Sequence, residues 1–255
     1  MCIRAMTMGT ITTIRTGTIM SIIPIPTRTT PWARAAWARN RTNMGKPAPY
    51  DYLRDPQAIY EKSFAIVRAE ADLSGLPENL HGMAIRLIHA CGMTDIAADL
   101  AWGGDPVSAG RAALGAGAPI LVDVMMLRHG IIDRALPNGN NIICTLNDSG
   151  VAEEAQRRGD TRSAMAVERW RAHLGGAIVC IGNAPTALYC LLELLADGAP
   201  EPAVILGFPV GFVGAAEAKQ ALTEAGLDIP YLTLRGRRGG SAIAAAAVNA
   251  LAAES

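Results

Sequence analysis

From residue 107 onward the chain repeats one arrangement: a short apolar run, then ten or more residues containing a helical pattern. Five such runs predict strands, at Ile120–Val124, Asn141–Leu146, Ala177–Ile181, Ala203–Leu206 and Tyr231–Leu234. Helical spacing is predicted for Val107–Gly115, Thr161–Leu174, Pro185–Ala196, Ala215–Ala225 and Ser241–Ala253. Strands joined through helices pair in parallel, and apolar runs without polar alternation must be covered on both faces. The expected fold class is therefore α/β: a single-domain, mostly parallel sheet with helices on both faces, preceded by a disordered N-terminal extension. Upstream of the sheet, Asp55-Pro56 reads as an N-cap and first-turn proline opening a helix through about Ala71. A second helix follows Pro77, with Leu80, Ala84, Leu87, Ile88 and Cys91 at helical spacing.

Residues 1–45 are of a different character. They carry six arginines and no acid, and they show no sustained period. Pro24, Pro26 and Pro31 would interrupt the amphipathic helix of an organellar transit peptide. The expected organisation is a disordered or mis-started extension over residues 1–45, with Met44 as an alternative start, and one domain over residues 46–255. The formal net charge of zero hides an excess of acids in that domain, with 17 basic against 23 acidic side chains. Nucleic acid is thus not an expected partner. No apolar run reaches the roughly 20 residues of a membrane span. The five cysteines form no C-x-x-C pair and no zinc spacing with histidine, which fits reduced thiols in a cytoplasmic protein.

In a doubly covered sheet, ligands bind beyond the carboxyl ends of the strands. Asp123, Asn147, Gly182-Asn183, Gly207 and Arg235-Gly236 all fall there. Gly182-Asn183-Ala184-Pro185-Thr186 joins a strand to a helix whose first N–H groups would attract an anion. Arg235-Gly236-Arg237-Arg238-Gly239-Gly240-Ser241 does so before the last helix, and adds three cationic side chains. Thr161-Arg162-Ser163 opens another helix, either as a simple cap or as a cationic anchor for a carboxylate. Arg86 and His89, three apart on a helix, share a face and could supply a carboxylate anchor and an acid–base. Periodicity alone favours a surface or core-edge histidine with a solvated arginine, and Ser63 alone is an ordinary helical serine. His81, His129 and His173 fit helix surfaces or ends. Neither glycine-rich loop matches a nucleotide motif, and no nucleophile elbow or paired-carboxylate motif appears. The residues by themselves give an α/β protein with a cationic, glycine-lined ligand site.

From about Tyr50 to Ala253 the chain resembles the precorrin-8X methylmutase (precorrin isomerase) family. The resemblance is carried in order by Ile59-Tyr60-Glu61-Lys62-Ser63-Phe64, Ile88-His89-Ala90-Cys91-Gly92, Gly117-Ala118-Pro119-Ile120, Cys144-Thr145-Leu146 and Thr161-Arg162-Ser163-Ala164. It continues through Ile181-Gly182-Asn183-Ala184-Pro185-Thr186, then Gly207-Phe208-Pro209-Val210-Gly211-Phe212-Val213-Gly214, and ends in Arg235-Gly236-Arg237 with Gly239-Gly240-Ser241. The resemblance implies an isomerase that moves a methyl group from C-11 to C-12 of precorrin-8X, giving hydrogenobyrinic acid in cobalamin biosynthesis. It further implies a homodimer that uses no metal or redox cofactor. The family's catalytic histidine falls on His89, and its substrate contacts fall on Ser63, Arg86 and Arg162. Thr161, Asn183, Thr186, Gly207, Arg235 and Ser241 complete the expected substrate-binding set. Two alternatives stay open on sequence: the cobalt-precorrin-8 methylmutase of the anaerobic route, and a tetrapyrrole carrier without turnover.

Overall fold

Asp55 accepts the N–H groups of Gln57 and Ala58 and Pro56 takes the first turn, so helix α1 runs Pro56–Glu70. This is a computed structural model that describes residues 50–253. The expected extension over residues 1–45 and the alternative start at Met44 lie outside those described residues. Helix α2, Glu78–Cys91, follows Pro77 and stops where Gly92 turns left-handed at φ 71°. A 3₁₀ turn at Thr94–Asp99 leads into β1, Leu100–Gly103.

The remaining elements alternate. They are α3 (Pro106–Gly115), β2 (Ile120–Val122), α4 (Met125–Gly130), β3 (Ile142–Ile143), α5 (Val151–Arg158) and α6 (Arg162–Glu168). Next come β4 (Ile178–Ile181), α7 (Pro185–Ala196), β5 (Val204–Gly207), α8 (Ala215–Glu224), β6 (Tyr231–Leu234) and α9 (Ser241–Ala252). The sheet has six strands in the order β1-β6-β5-β4-β2-β3. All neighbours are parallel except β1 and β6, which pair antiparallel with Leu100 opposite Leu234. Chain order reverses between β2 and β4, which makes their carboxyl ends the switch point where α/β sheets bind ligands.

Side chains alternate across the sheet. Ile120, Val122, Ile178, Cys180, Val204 and Leu206 are buried with α1, α2, α3, α4 and α9. Leu121, Val179, Ile181 and Ile205 are buried with α5, α6, α7 and α8. Both faces are covered, as the uniformly apolar strands require.

The details differ from expectation in several places, and helices α4 and α5 were not among the expected ones. The strand Leu100–Gly103 was absent from the expected set, because its Trp-Gly end and short length resemble a loop. The expected strand Asn141–Leu146 pairs over Ile142–Ile143 alone. Just beyond it, Thr145 turns its hydroxyl to the Ala166 carbonyl at 2.7 Å and accepts Trp170 Nε1–H at 3.0 Å. That same indole ends the expected helix Thr161–Leu174 early. Trp170 is fully buried, and the chain breaks into turns after Glu168 to hold it there.

Candidate functional site

Helix α1 presents Tyr60, Ser63, Phe64 and Val67 at spacings of three and four, so they share one face. Phe64 and Val67 are buried in the core that α1 shares with α2, and Ser63 sits at its edge. Ser63 Oγ lies 2.9 Å from Nδ1 of His89, in the last turn of α2. The Phe64 ring packs 4.9 Å from the imidazole, and Tyr60 meets it edge-on at 6.0 Å. The ring is therefore held on one nitrogen while His89 stays exposed, which leaves Nε2 for proton exchange. Arg86 and Arg68 bring their guanidinium carbons within 5.7 Å and 5.9 Å of the Phe64 centroid.

Tyr60, Phe64, Arg86 and His89 line an open groove of about 360 Å³, completed by Ile132 and by Ala242, Ala245, Ala246 and Asn249 of α9. The alanine run of α9 lets the two helices approach closely. Asn249 is its polar exception, donating to the Gly130 carbonyl at 3.0 Å and accepting the Ile132 N–H at 2.9 Å. An adjoining groove of about 400 Å³ shares Tyr60, Phe64 and Arg86 and adds Arg68 and Arg111.

At the switch point the N–H groups of Gly182, Asn183 and Ala184 are already occupied. Each donates at 2.9 Å to the buried carboxylate of Asp123, just after β2. Burial pushes the Asp123 carboxyl above the usual range, and the three donors oppose that shift. The anion that this helix start attracts is thus the protein's own. What remains for a ligand is side chains. Thr161 caps α6 through the Ala164 N–H and hydrogen-bonds the Thr186 hydroxyl at 2.8 Å. Arg162 Nη2 donates to Asn147 Oδ1 at 2.9 Å and to the Leu146 carbonyl at 3.2 Å. Arg162 and Asn183 are both exposed.

The loop from Arg235 to Gly240 carries three cations, which the fold engages differently. Of its three cations, Arg238 is paired with Asp95 at 2.6 Å and with Asp99. Arg235 turns to the Leu100 carbonyl at 3.4 Å, on the sheet's edge strand. Lys219 of α8, fully buried, donates from Nζ to the Arg238 carbonyl at 2.6 Å. Arg237 is exposed, its guanidinium 5.4 Å from the Phe212 ring.

The expected residues therefore form two groups at one end of the molecule. His89, Ser63 and Arg86 share the groove, and Thr161, Arg162, Asn183 and Thr186 share the switch point. Helix α9 links them. Its first residue, Ser241, lies so close to Gly182 that a Cβ on that glycine would come within 3.0 Å of Ser241 Cα, and Ala242 already lines the groove. Gly207 and Arg235 do not join either group. Gly207 is buried, with Leu222 3.0 Å from where its Cβ would stand, so its smallness serves packing. Sequence reading passed over Tyr60 and Phe64, although their spacing with Ser63 was a usable signal. It also passed over Asn249, conspicuous as a lone amide among alanines. Among the described residues, no helix is long and apolar enough to cross a membrane, and no cluster of three or more His, Cys, Asp or Glu could hold a metal ion.

Comparison with known proteins agrees with this arrangement. The sequence model of the precorrin-8X methylmutase family matches residues 58–254. A precorrin-8X methylmutase of Pseudomonas aeruginosa is 58% identical over 204 residues, covering 80% of this chain and 98% of that protein. Another, from a Sinorhizobium species, is 55% identical over 203 residues, covering 80% and 97%. A crystal structure of a precorrin-8X methylmutase from Thermus thermophilus superposes with a TM-score of 0.70 at 39% identity, covering 77% of this chain and 94% of that one. The chain belongs to the precorrin-8X methylmutase family, methyl-migrating isomerases of cobalamin biosynthesis.

Proposed function

We propose that the chain moves a methyl group from C-11 to C-12 of precorrin-8X, giving hydrogenobyrinic acid, with His89 as the acid–base. The observation that carries this reading is the Ser63–His89 contact at 2.9 Å beside an open groove. The shift is intramolecular, so it requires no electron carrier and no covalent nucleophile. His89, protonated, gives a proton to a ring nitrogen, which makes the conjugated system electron-poor and eases migration, and it recovers the proton afterwards. Ser63 fixes the imidazole through Nδ1 so that Nε2 faces the ligand. Arg86 and Arg162 take acetate or propionate arms by charge-assisted hydrogen bonds, and Thr161, Thr186, Asn183 and Ser241 offer neutral donors. No metal or redox cofactor takes part in this scheme.

The metal-free substrate is favoured because the relatives at 58% and 55% identity carry the precorrin-8X name. Mixing the protein with precorrin-8X should change the visible spectrum as conjugation changes, whereas the cobalt-loaded substrate should turn over more slowly. Faster conversion of the cobalt form would reverse the assignment, and binding without conversion of either would make the protein a carrier.

The functional unit on this reading is a homodimer of residues 46–255. Exposed Ile59 and Ile66, seven apart on α1, support an apolar contact between copies. Light scattering at low micromolar protein should give about twice the 26.8 kDa chain mass, and a clean monomer would overturn it. Cys91, Cys144, Cys180 and Cys190 are free thiols, which suits a reducing cytoplasm.

A further inference from the structure

Between β5 and α8 the chain from Pro209 to Gly214 crosses the carboxyl edge of the sheet. Its base is pinned on both neighbouring loops. The Val210 N–H donates to the Asn183 carbonyl at 3.4 Å, and the Gly211 N–H donates to the Arg237 carbonyl at 3.2 Å. Gly214, left-handed at φ 78°, packs where a Cβ would lie 3.5 Å from Pro185. The tip nevertheless displays Phe212 at 86% exposure and Val213 at 89%. A single exposed apolar side chain needs no explanation, but two in sequence on a pinned loop beside the switch point do. The Arg237 guanidinium lies 5.4 Å from the Phe212 centroid, whereas Arg238 is paired with Asp95 and Arg235 turns to the Leu100 carbonyl. An aromatic face and a cation are thus offered side by side, next to Asn183.

We propose that Phe212 and Arg237 are a further substrate-contacting pair, which rests on the tetrapyrrole reading above: Phe212 packs on the macrocycle and Arg237 pairs with one peripheral carboxylate. A corrin precursor has broad apolar faces and an anionic rim, so one ligand satisfies both groups at once. It is also wide enough to need contacts beyond the groove at His89. The pair governs affinity and specificity and takes no part in proton transfer.

Steady-state kinetics with precorrin-8X and titration with hydrogenobyrinic acid test this on Phe212→Ser, Arg237→Gln and the aromatic control Phe212→Tyr. Both side chains are exposed, so thermal midpoints should stay at the wild-type value. Phe212→Ser and Arg237→Gln should each raise KM and product Kd about tenfold with kcat little changed, and Phe212→Tyr should behave as wild type. Wild-type KM in both disruptive variants would overturn the pair while leaving the family reading intact. A change in sedimentation mass without a change in KM would assign the loop to contact between copies and overturn it as well. Wild-type protein that neither binds nor converts the tetrapyrrole would overturn both readings.

Discussion

A histidine on a helix surface becomes a directed acid–base only when something fixes its ring, and here that role falls to Ser63. Arg86 and His89 are legible as neighbours because three residues on a helix return to the same face. Ser63 is 26 residues away, and its partnership depends on how α1 packs on α2, which no local pattern records. Replacing His89 with Ala should lower kcat by at least about 10²–10⁴-fold, the usual contribution of general acid–base catalysis, with product binding largely kept. Ser63→Ala should cost less, about tenfold in kcat, because the rings of Phe64 and Tyr60 still hold the imidazole. Arg162→Ala should appear in KM instead, since it removes a carboxylate partner and no proton. Absorbance-monitored kinetics on the three variants would separate these roles, and wild-type kcat in His89→Ala would sink the acid–base assignment.

Helix starts were legible from Pro and Gly placement, but what occupies them was not. Gly182–Ala184 reads as an anion site for a ligand, yet Asp123, 59 residues before Gly182, fills it from the end of the adjacent strand. Strand order decides that pairing, and strand order is a long-range property. Asp123→Ala should destabilise by about 2–4 kcal/mol, because one buried and two part-buried N–H donors lose their partner, while Asp123→Asn should cost less. Urea unfolding reads both. Lys219 gives the element-scale pH effect. Burial lowers its ammonium from 10.5 to about 8, so between those values the unfolded chain holds a proton that the folded one has released. Stability from this group therefore rises as pH climbs from about 8 towards 10.5, and its burial penalty is fully present below 8. The urea midpoint of wild type minus that of Lys219→Met should become more favourable across that window. A difference independent of pH would mean that Lys219 stays charged in the fold.

At the scale of the molecule, the parallel sheet and its two helical layers were legible because uniformly apolar strands separated by helices admit few other arrangements. The antiparallel edge strand β1 was not, since four residues ending in Trp-Gly carry no periodic signal. The expected tail is a different matter, for it was read from composition alone. The family model begins at residue 58, and 204 residues of this chain cover 98% of the Pseudomonas relative. We propose that residues 1–43, which hold no acid to pair with their arginines, are not needed for turnover. A protein beginning at Met44 should therefore fold with the same urea midpoint and the same m-value as the full chain, since no surface would be lost from the cooperative unit. Its kcat and KM on precorrin-8X should match those of the full chain within error. A lower m-value would show that the first 43 residues join the fold, and loss of turnover with an unchanged midpoint would place them at the active site.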